Sequence, residues 1–152
     1  MGRVLDHIDE STADWIARQH LFFVATAPAE GGRVNLSPKG LDSFRVLDAT
    51  EIAYLDLTGS GAETIAHVRD NGRITFMFCA FNGPPRIVRL YGKGSAHLPD
   101  SGRFDELNTL FPHRRGVRSI ITTKIDRVQD SCGYSVPLME FTADRTRLDS
   151  WT

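Results

Sequence analysis

Apolar and polar positions along this chain change period several times within short distances, so the sequence reads as short elements rather than long ones. Residues 9–20 carry Trp15 and Ile16 on one side, behind three possible N-caps, Asp9, Ser11 and Thr12, and predict a short helix. From Leu21 the pattern becomes strand-like. Leu21-Phe-Phe-Val-Ala-Thr-Ala27 is an apolar run of strand formers, and Pro28-Ala-Glu-Gly-Gly32 closes it as a hairpin connection. Residues 33–39 then alternate, with Arg33, Asn35, Ser37 and Lys39 on one side and Val34, Leu36 and Pro38 on the other. Pro38 has no N–H to donate, which predicts that this strand ends, bulges or lies at a sheet edge.

Residues 51–57 form the next predicted strand, ended by Thr58-Gly-Ser-Gly61. Ser60 and Glu63 have the spacing of a capping box in front of Ala62, Ile65, Ala66 and Val68, and Asn71-Gly72 supplies the helix stop. Residues 73–81 are nearly all apolar, as for a strand buried on both faces. Asn82-Gly-Pro-Pro85 is a turn, residues 86–93 a further strand, and residues 101–111 a helix with Phe104, Leu107, Leu110 and Phe111 as its apolar stripe. Residues 117–128 form a last long strand, dense in Ile and Thr, before an irregular tail that ends in Trp151. Six strands joined mostly by short turns, with two or three interspersed helices, predict a mainly β (α+β) fold. The pairing is expected to be antiparallel, in a small closed or partly open barrel. Without a repeat or a linker, residues 1–152 are read as a single domain.

Composition narrows the function. Eighteen basic against nineteen acidic residues leave a net charge of −1, which disfavours nucleic acid as the main partner. No apolar run approaches the length of a membrane span, and the N-terminus has no apolar signal region, so a cytoplasmic protein is expected. Cys79 and Cys132 are far apart with no close Cys or His partner, and neither a zinc site nor a disulfide framework can be built from them. Only three of the basic residues are lysines, Lys39, Lys93 and Lys124, so a lysine inside a motif stands out against an arginine-rich background.

Three constellations carry polar chemistry. The alternating face Arg33, Asn35, Ser37, Lys39 suits a phosphorylated or polyhydroxylated ligand lying across a sheet; taken alone it reads first as the solvent face of an antiparallel strand. The strand–turn–helix Asp56-Leu-Thr-Gly-Ser-Gly-Ala-Glu-Thr64 offers free N–H groups and the hydroxyls of Thr58, Ser60 and Thr64 to an anion, against which Glu63 would compete. Taken alone it is also an ordinary capped helix. It is neither a P-loop nor a dinucleotide fingerprint, because the Gly and Lys spacings fail. Arg89, Tyr91 and Lys93 share the third face. The five histidines are scattered, Cys79 reads as core, and no Ser-His-Asp motif is present. A site of cations, hydroxyls and a helix N-terminus, without nucleophile or metal, binds an anionic cofactor and leaves the chemistry to it.

The order of these pieces resembles a known family. Arg33-Val-Asn-Leu-Ser-Pro-Lys-Gly40, Tyr54-Leu-Asp-Leu-Thr58 with Ser60-Gly-Ala-Glu-Thr64, Arg73-Ile-Thr-Phe-Met-Phe and Arg86-Ile-Val-Arg-Leu-Tyr-Gly-Lys-Gly94 resemble the pyridoxamine 5′-phosphate oxidase family of FMN-binding split barrels. In the tail, Gln129-Asp-Ser-Cys-Gly-Tyr-Ser-Val-Pro137 is similar to a segment of one uncharacterised branch, so the resemblance covers residues 21–137. It implies a six-stranded antiparallel split β-barrel with flanking helices, a homodimer, and FMN in two equivalent clefts at the dimer interface. By the same resemblance Arg33, Asn35, Ser37 and Lys39 run beside the ring and ribityl chain. Leu57, Thr58, Ser60 and Thr64, with Lys39, hold the phosphate, and Arg86 and Arg89 reach the site from the partner subunit.

Departures from the family pattern bear on activity. Arg33 and Lys39 are six residues apart with Pro38 between them, Ser60-Gly61-Ala62 offers no cation, and the tail's Arg147-Leu148-Asp149 stands where the oxidases carry Arg-Leu-His. The expectation is an FMN-dependent oxidoreductase acting on a small molecule by flavin hydride transfer, with oxidation of pyridoxamine phosphate itself not expected. The alternative is a non-catalytic flavin- or haem-binding protein on the same barrel. Deazaflavin and haem are the alternative cofactors.

Overall fold

The computed structural model describes residues 2–59 and 61–147. Its elements in chain order are β1 (Arg3–Leu5), α1 (Glu10–Ala17), β2 (Phe22–Thr26), β3 (Asn35–Lys39), β4 (Phe44–Val46), β5 (Glu51–Leu57), α2 (Glu63–Asn71), β6 (Arg73–Cys79), β7 (Ile87–His97), α3 (Gly102–Asn108) and β8 (Val117–Ser131). All pairings are antiparallel, in one sheet of order β3-β2-β6-β7-β8-β5-β4, with β1 added on β8. Eight strands therefore replace the six expected. The two extra ones, β1 and β4, are three residues long, too short for alternation to mark them in the sequence.

The sheet curls until its ends approach. Between β3 and β5, which share no backbone ladder, Lys39 Nζ lies 3.6 Å from Asp56 Oδ1. On β4, Phe44 packs edge-on against Phe22 and Phe78, each with ring centroids 5.0 Å apart. Inside the curl lie Phe22, Val24, Ile52, Tyr54, Phe76, Phe78, Val88 and Leu90, closed off by Ile16 of α1 and by Ile65 and Val68 of α2. A second cluster (Ala53, Leu55, Phe104, Leu107, Phe111, Ile120) joins α3 to the back of β5 and β8. Burial of one such aliphatic or aromatic side chain stabilises the fold by about 1.5–3 kcal/mol. β5 and residues 119–123 of β8 are thus covered on both sides. β6, expected to be, buries only Ile74, Phe76 and Phe78 inward, while Thr75 and Met77 stay half-buried outside.

Local signals explain most boundaries. Of the three candidate caps, Asp9 is the one used: its carboxylate accepts from the Thr12 N–H at 2.9 Å and from Arg3 at 2.8 Å. The N-cap of α2 is not the expected Ser60. Ala62 occupies the N-cap without any side-chain hydrogen bond, and Ser60 lies outside the described residues. Gly72 stops α2 in a left-handed conformation, φ 73°. The ladder between β7 and β8 shifts register at Tyr91/Gly92, where the carbonyl of Lys124 lies in the space a β-carbon on residue 92 would take. Among the described residues, no helix is long and apolar enough to cross a membrane.

Candidate functional site

The alternation of β3 puts the unexpected set outside. Asn35, Ser37 and Lys39 are half-buried and face the barrel, whereas Val34 and Leu36 are 73% and 63% exposed. β3 is an edge strand, as Pro38 predicts. Its inward polar residues meet α2 and β5: the Asn35 amide donates to Thr64 Oγ1 at 3.0 Å, and Ser37 Oγ donates to Asn35 Oδ1 at 3.2 Å. Lys39 extends to Asp56, whose side chain is 1% exposed.

Asp56 is the hub of this mouth. Beyond Lys39, its Oδ2 accepts from Arg118 Nε at 2.9 Å and from Ser119 Oγ at 3.2 Å. A carboxylate so deeply buried is tolerable because two cations hold it, and an uncompensated one would cost several kcal/mol. Arg118 also clamps the turn after β5, donating from Nη1 to the Gly61 carbonyl at 2.7 Å. Thr58 is pinned to the loop before β8: its N–H and Oγ1 both donate to Gly116 O, at 2.7 and 2.9 Å. The Glu63 carboxylate folds back against Gly61, so an acidic group already lies at the start of α2.

Two buried polar atoms at this mouth have no hydrogen bond, Asp56 Oδ1 and the hydroxyl of Tyr54. Tyr54 lies beside Thr64 and Asp56; burial, then the charge of Asp56, holds its phenol above the usual tyrosine range. Orphaned buried donors and acceptors are rare and mark places where another group belongs.

Of the residues singled out from sequence, Asn35, Ser37, Lys39 and Thr64 converge here, with the backbone of Leu57 and Thr58 at the edge. Ser60 and the tail position Asp149 lie outside the described residues. Arg33 precedes β3 and is exposed, since the strand begins only at Asn35. The Leu57 side chain packs into the α3 cluster, because β5 alternates and odd positions face away from the barrel interior. Arg86 is committed elsewhere: it donates to Asp130 at 2.7 and 2.9 Å and to Thr12 at 3.0 Å, and lies 4.8 Å over the Trp15 ring. Arg89 stands between inward Val88 and Leu90 and so faces outward, donating to Ser131 at 3.2 Å. Within one chain neither arginine joins the mouth. Lys93 donates to Asn71 O at 3.0 Å, at the C-terminal end of α2.

Sequence reading missed Asp56, Tyr54 and Arg118 as site residues. Strand parity was a usable signal for Asp56, which shares the inward face of β5 with Ile52 and Tyr54. Arg118 gave no local signal; only the β5–β8 register, pairing Asp56 with Ser119, brings it to the turn.

Residues 8–132 match the family model described as pyridoxamine 5′-phosphate oxidase. Over 147 residues the chain is 44% identical to the pyridoxamine 5′-phosphate oxidase family protein ustO of Aspergillus flavus, covering 91% of this chain and 57% of that relative. The chain therefore spans little more than half the length of the curated relative it matches. Among solved structures it is similar to HupZ of Group A Streptococcus, with TM-score 0.64 and 24% identity over 80% of this chain and 91% of that one. A FAD-binding protein from Mesorhizobium loti aligns with TM-score 0.56 and 13% identity, covering 86% and 99%. An FMN-binding protein from Syntrophomonas wolfei aligns with TM-score 0.53 and 16% identity, covering 77% and 80%. At these identities the structural likenesses establish the fold, a split barrel.

Proposed function

The chain belongs to the pyridoxamine 5′-phosphate oxidase family, and from that premise we propose that it is a homodimeric, cytoplasmic FMN-binding oxidoreductase acting on a small molecule. One observation carries the reading: the polar side of β3 is turned inward to meet Thr64 and Asp56, the latter also held by Arg118, while its apolar side faces solvent. FAD- and FMN-binding proteins among the structural neighbours support a flavin as the occupant.

The residues present fit such a group. Lys39 and Arg118 are cations for a phosphate, and the amide and hydroxyls of Asn35, Ser37 and Thr64 suit the hydroxyls of a ribityl chain. Beside them the buried Tyr54 hydroxyl has no hydrogen bond, and Asp56 Oδ1 faces the Lys39 ammonium at 3.6 Å. A bound flavin supplies hydride-transfer chemistry at its ring; the side chains of this protein bind and orient its polar end.

The outer sheet face supports the dimer. Leu36 and Pro38 of β3 continue across Ala25 and Phe23 of β2, Thr75 and Met77 of β6, and Arg89 and Tyr91 of β7. An edge strand that exposes Leu36, with Val34 exposed just before it, is an association hazard unless another surface covers it. In a dimer built on this face Arg89 of each copy would be turned toward the other, which gives the outward arginine a use that a monomer does not.

The test is the absorption spectrum and sedimentation of the purified chain, before and after addition of FMN. Flavin bands in the visible region and a dimer at micromolar concentration are the expected results. A Soret band replaces flavin with haem, and a monomer that takes up no flavin overturns the proposal.

A further inference from the structure

The turn between β5 and α2 carries no cation of its own, yet a guanidinium from the far end of the chain is built into it. The geometry points to Arg118 of β8 as the residue that distinguishes a phosphorylated flavin from its unphosphorylated form, with Lys39 as its companion and Asp56 as the tether of both. This rests on the flavin reading above and deepens it.

Asp56 lies beneath the mouth, whereas the side chains of Lys39 and Arg118 are 22% and 25% exposed. The carboxylate is thus sealed and the cations are presented. Arg118 spends Nε and one Nη2 contact on Asp56, both at 2.9 Å, and one Nη1 contact on Gly61 O. A guanidinium has five N–H groups, so one on each Nη remains for an anion. The clamp on Gly61 also keeps those donors against the first turn of α2, whose N–H groups have no side-chain cap. Two cations at the mouth face two carboxylates, buried Asp56 and exposed Glu63. Glu63, on a flexible stem, is the one an incoming phosphate can displace, and removing its charge is expected to favour the phosphate.

The rival role for Arg118 is purely structural, neutralising Asp56 and holding the turn. A comparison of FMN with riboflavin separates the two, because the ligands differ only in the phosphate. Flavin fluorescence titrations of the full chain give both affinities for wild type, Arg118→Gln, Arg118→Lys and Glu63→Gln, with circular dichroism to check folding. Wild type is expected to prefer FMN. Arg118→Gln should lower FMN affinity about 10- to 100-fold, the range of a lost charge-assisted hydrogen bond, and leave riboflavin within about two-fold; Arg118→Lys should recover part of the loss. Glu63→Gln should raise FMN affinity a few-fold. Equal losses of both ligands in Arg118→Gln and Arg118→Lys, or an unchanged ratio, would overturn the assignment.

If wild type binds neither flavin, the flavin reading fails, and inorganic phosphate becomes the deciding probe. Movement of the Arg118 Nε–H resonance on phosphate addition then keeps Arg118 as an anion-reading residue for another ligand. An unmoved resonance removes both.

Discussion

Two arginine–aspartate clusters on this small sheet use the same chemistry to opposite ends. In the mouth beside β3, Asp56 is fully sealed and two cations, Lys39 and Arg118, converge on it from different strands. Beside α1, Arg86 and Asp130 are paired one to one, both part-exposed, with Trp15 stacked on the guanidinium. The second cluster is balanced and closed by an aromatic face, so it is a clamp of α1 onto the end of β8. In the first the acid is cut off from solvent while both cations keep solvent contact, and the buried Tyr54 hydroxyl beside it has no hydrogen bond. Depth of the acid separates a fastening from a binding mouth, where residue type does not.

The contrast breaks most sharply at the acids. Asp56→Asn removes the counter-charge of two cations, and because both retain solvent contact the loss should lie at the low end for a broken buried pair, about 3 kcal/mol. Asp130→Asn, at a part-exposed pair, should cost no more than about 1 kcal/mol. Urea unfolding of the two variants measures both, and equal losses would erase the distinction. At the cations, Lys39→Ala should weaken FMN binding by about 1.5–3 kcal/mol. Lys93→Ala removes only a contact to the end of α2 and should leave the affinity nearly unchanged; superimposable FMN titrations for the two variants count against the mouth.

Arg86→Lys sharpens the contrast from the other side. Lysine keeps the charge but loses the fork onto Asp130 and the flat stack on Trp15, so stability should fall by about 1 kcal/mol while flavin affinity stays at its wild-type value. A drop in affinity would return Arg86 to the flavin site, whether of its own copy or of the partner. The smallest effect is expected of Tyr54→Phe. Its hydroxyl is buried without a hydrogen-bond partner inside the barrel, so its loss should leave the melting temperature unchanged or slightly raised. A fall of more than about 1 kcal/mol would show that Thr64 or Asp56 already satisfies it.

How much of this was legible in the sequence follows from what each residue's neighbours are. Strand alternation and turn chemistry are local, so the six longer strands, the Gly72 stop and the grouping of Asn35, Ser37 and Lys39 on one side could be read directly, while the cap of α1 was narrowed only to three residues. Three-residue strands carry no period, which hid β1 and β4. The capping box matched in spacing, but the turn placed Ala62 at the cap. Alternation grouped Arg33 with Asn35, Ser37 and Lys39, of which Arg33 precedes the strand, and alternation alone does not say which set a sheet will turn inward. That was decided by the curl that brings β3 against β5. Arg86 and Arg89 illustrate the same limit: sequence put them on one strand, and packing gave one to Trp15 and the other to the outer face. Arg118 became a site residue only through the β5–β8 ladder. A chain's local pattern records the two sides of a strand, because side-chain direction is set by the backbone within a residue or two. Which strands stand beside each other is decided by burying the whole apolar surface at once, and no local segment contains that sum.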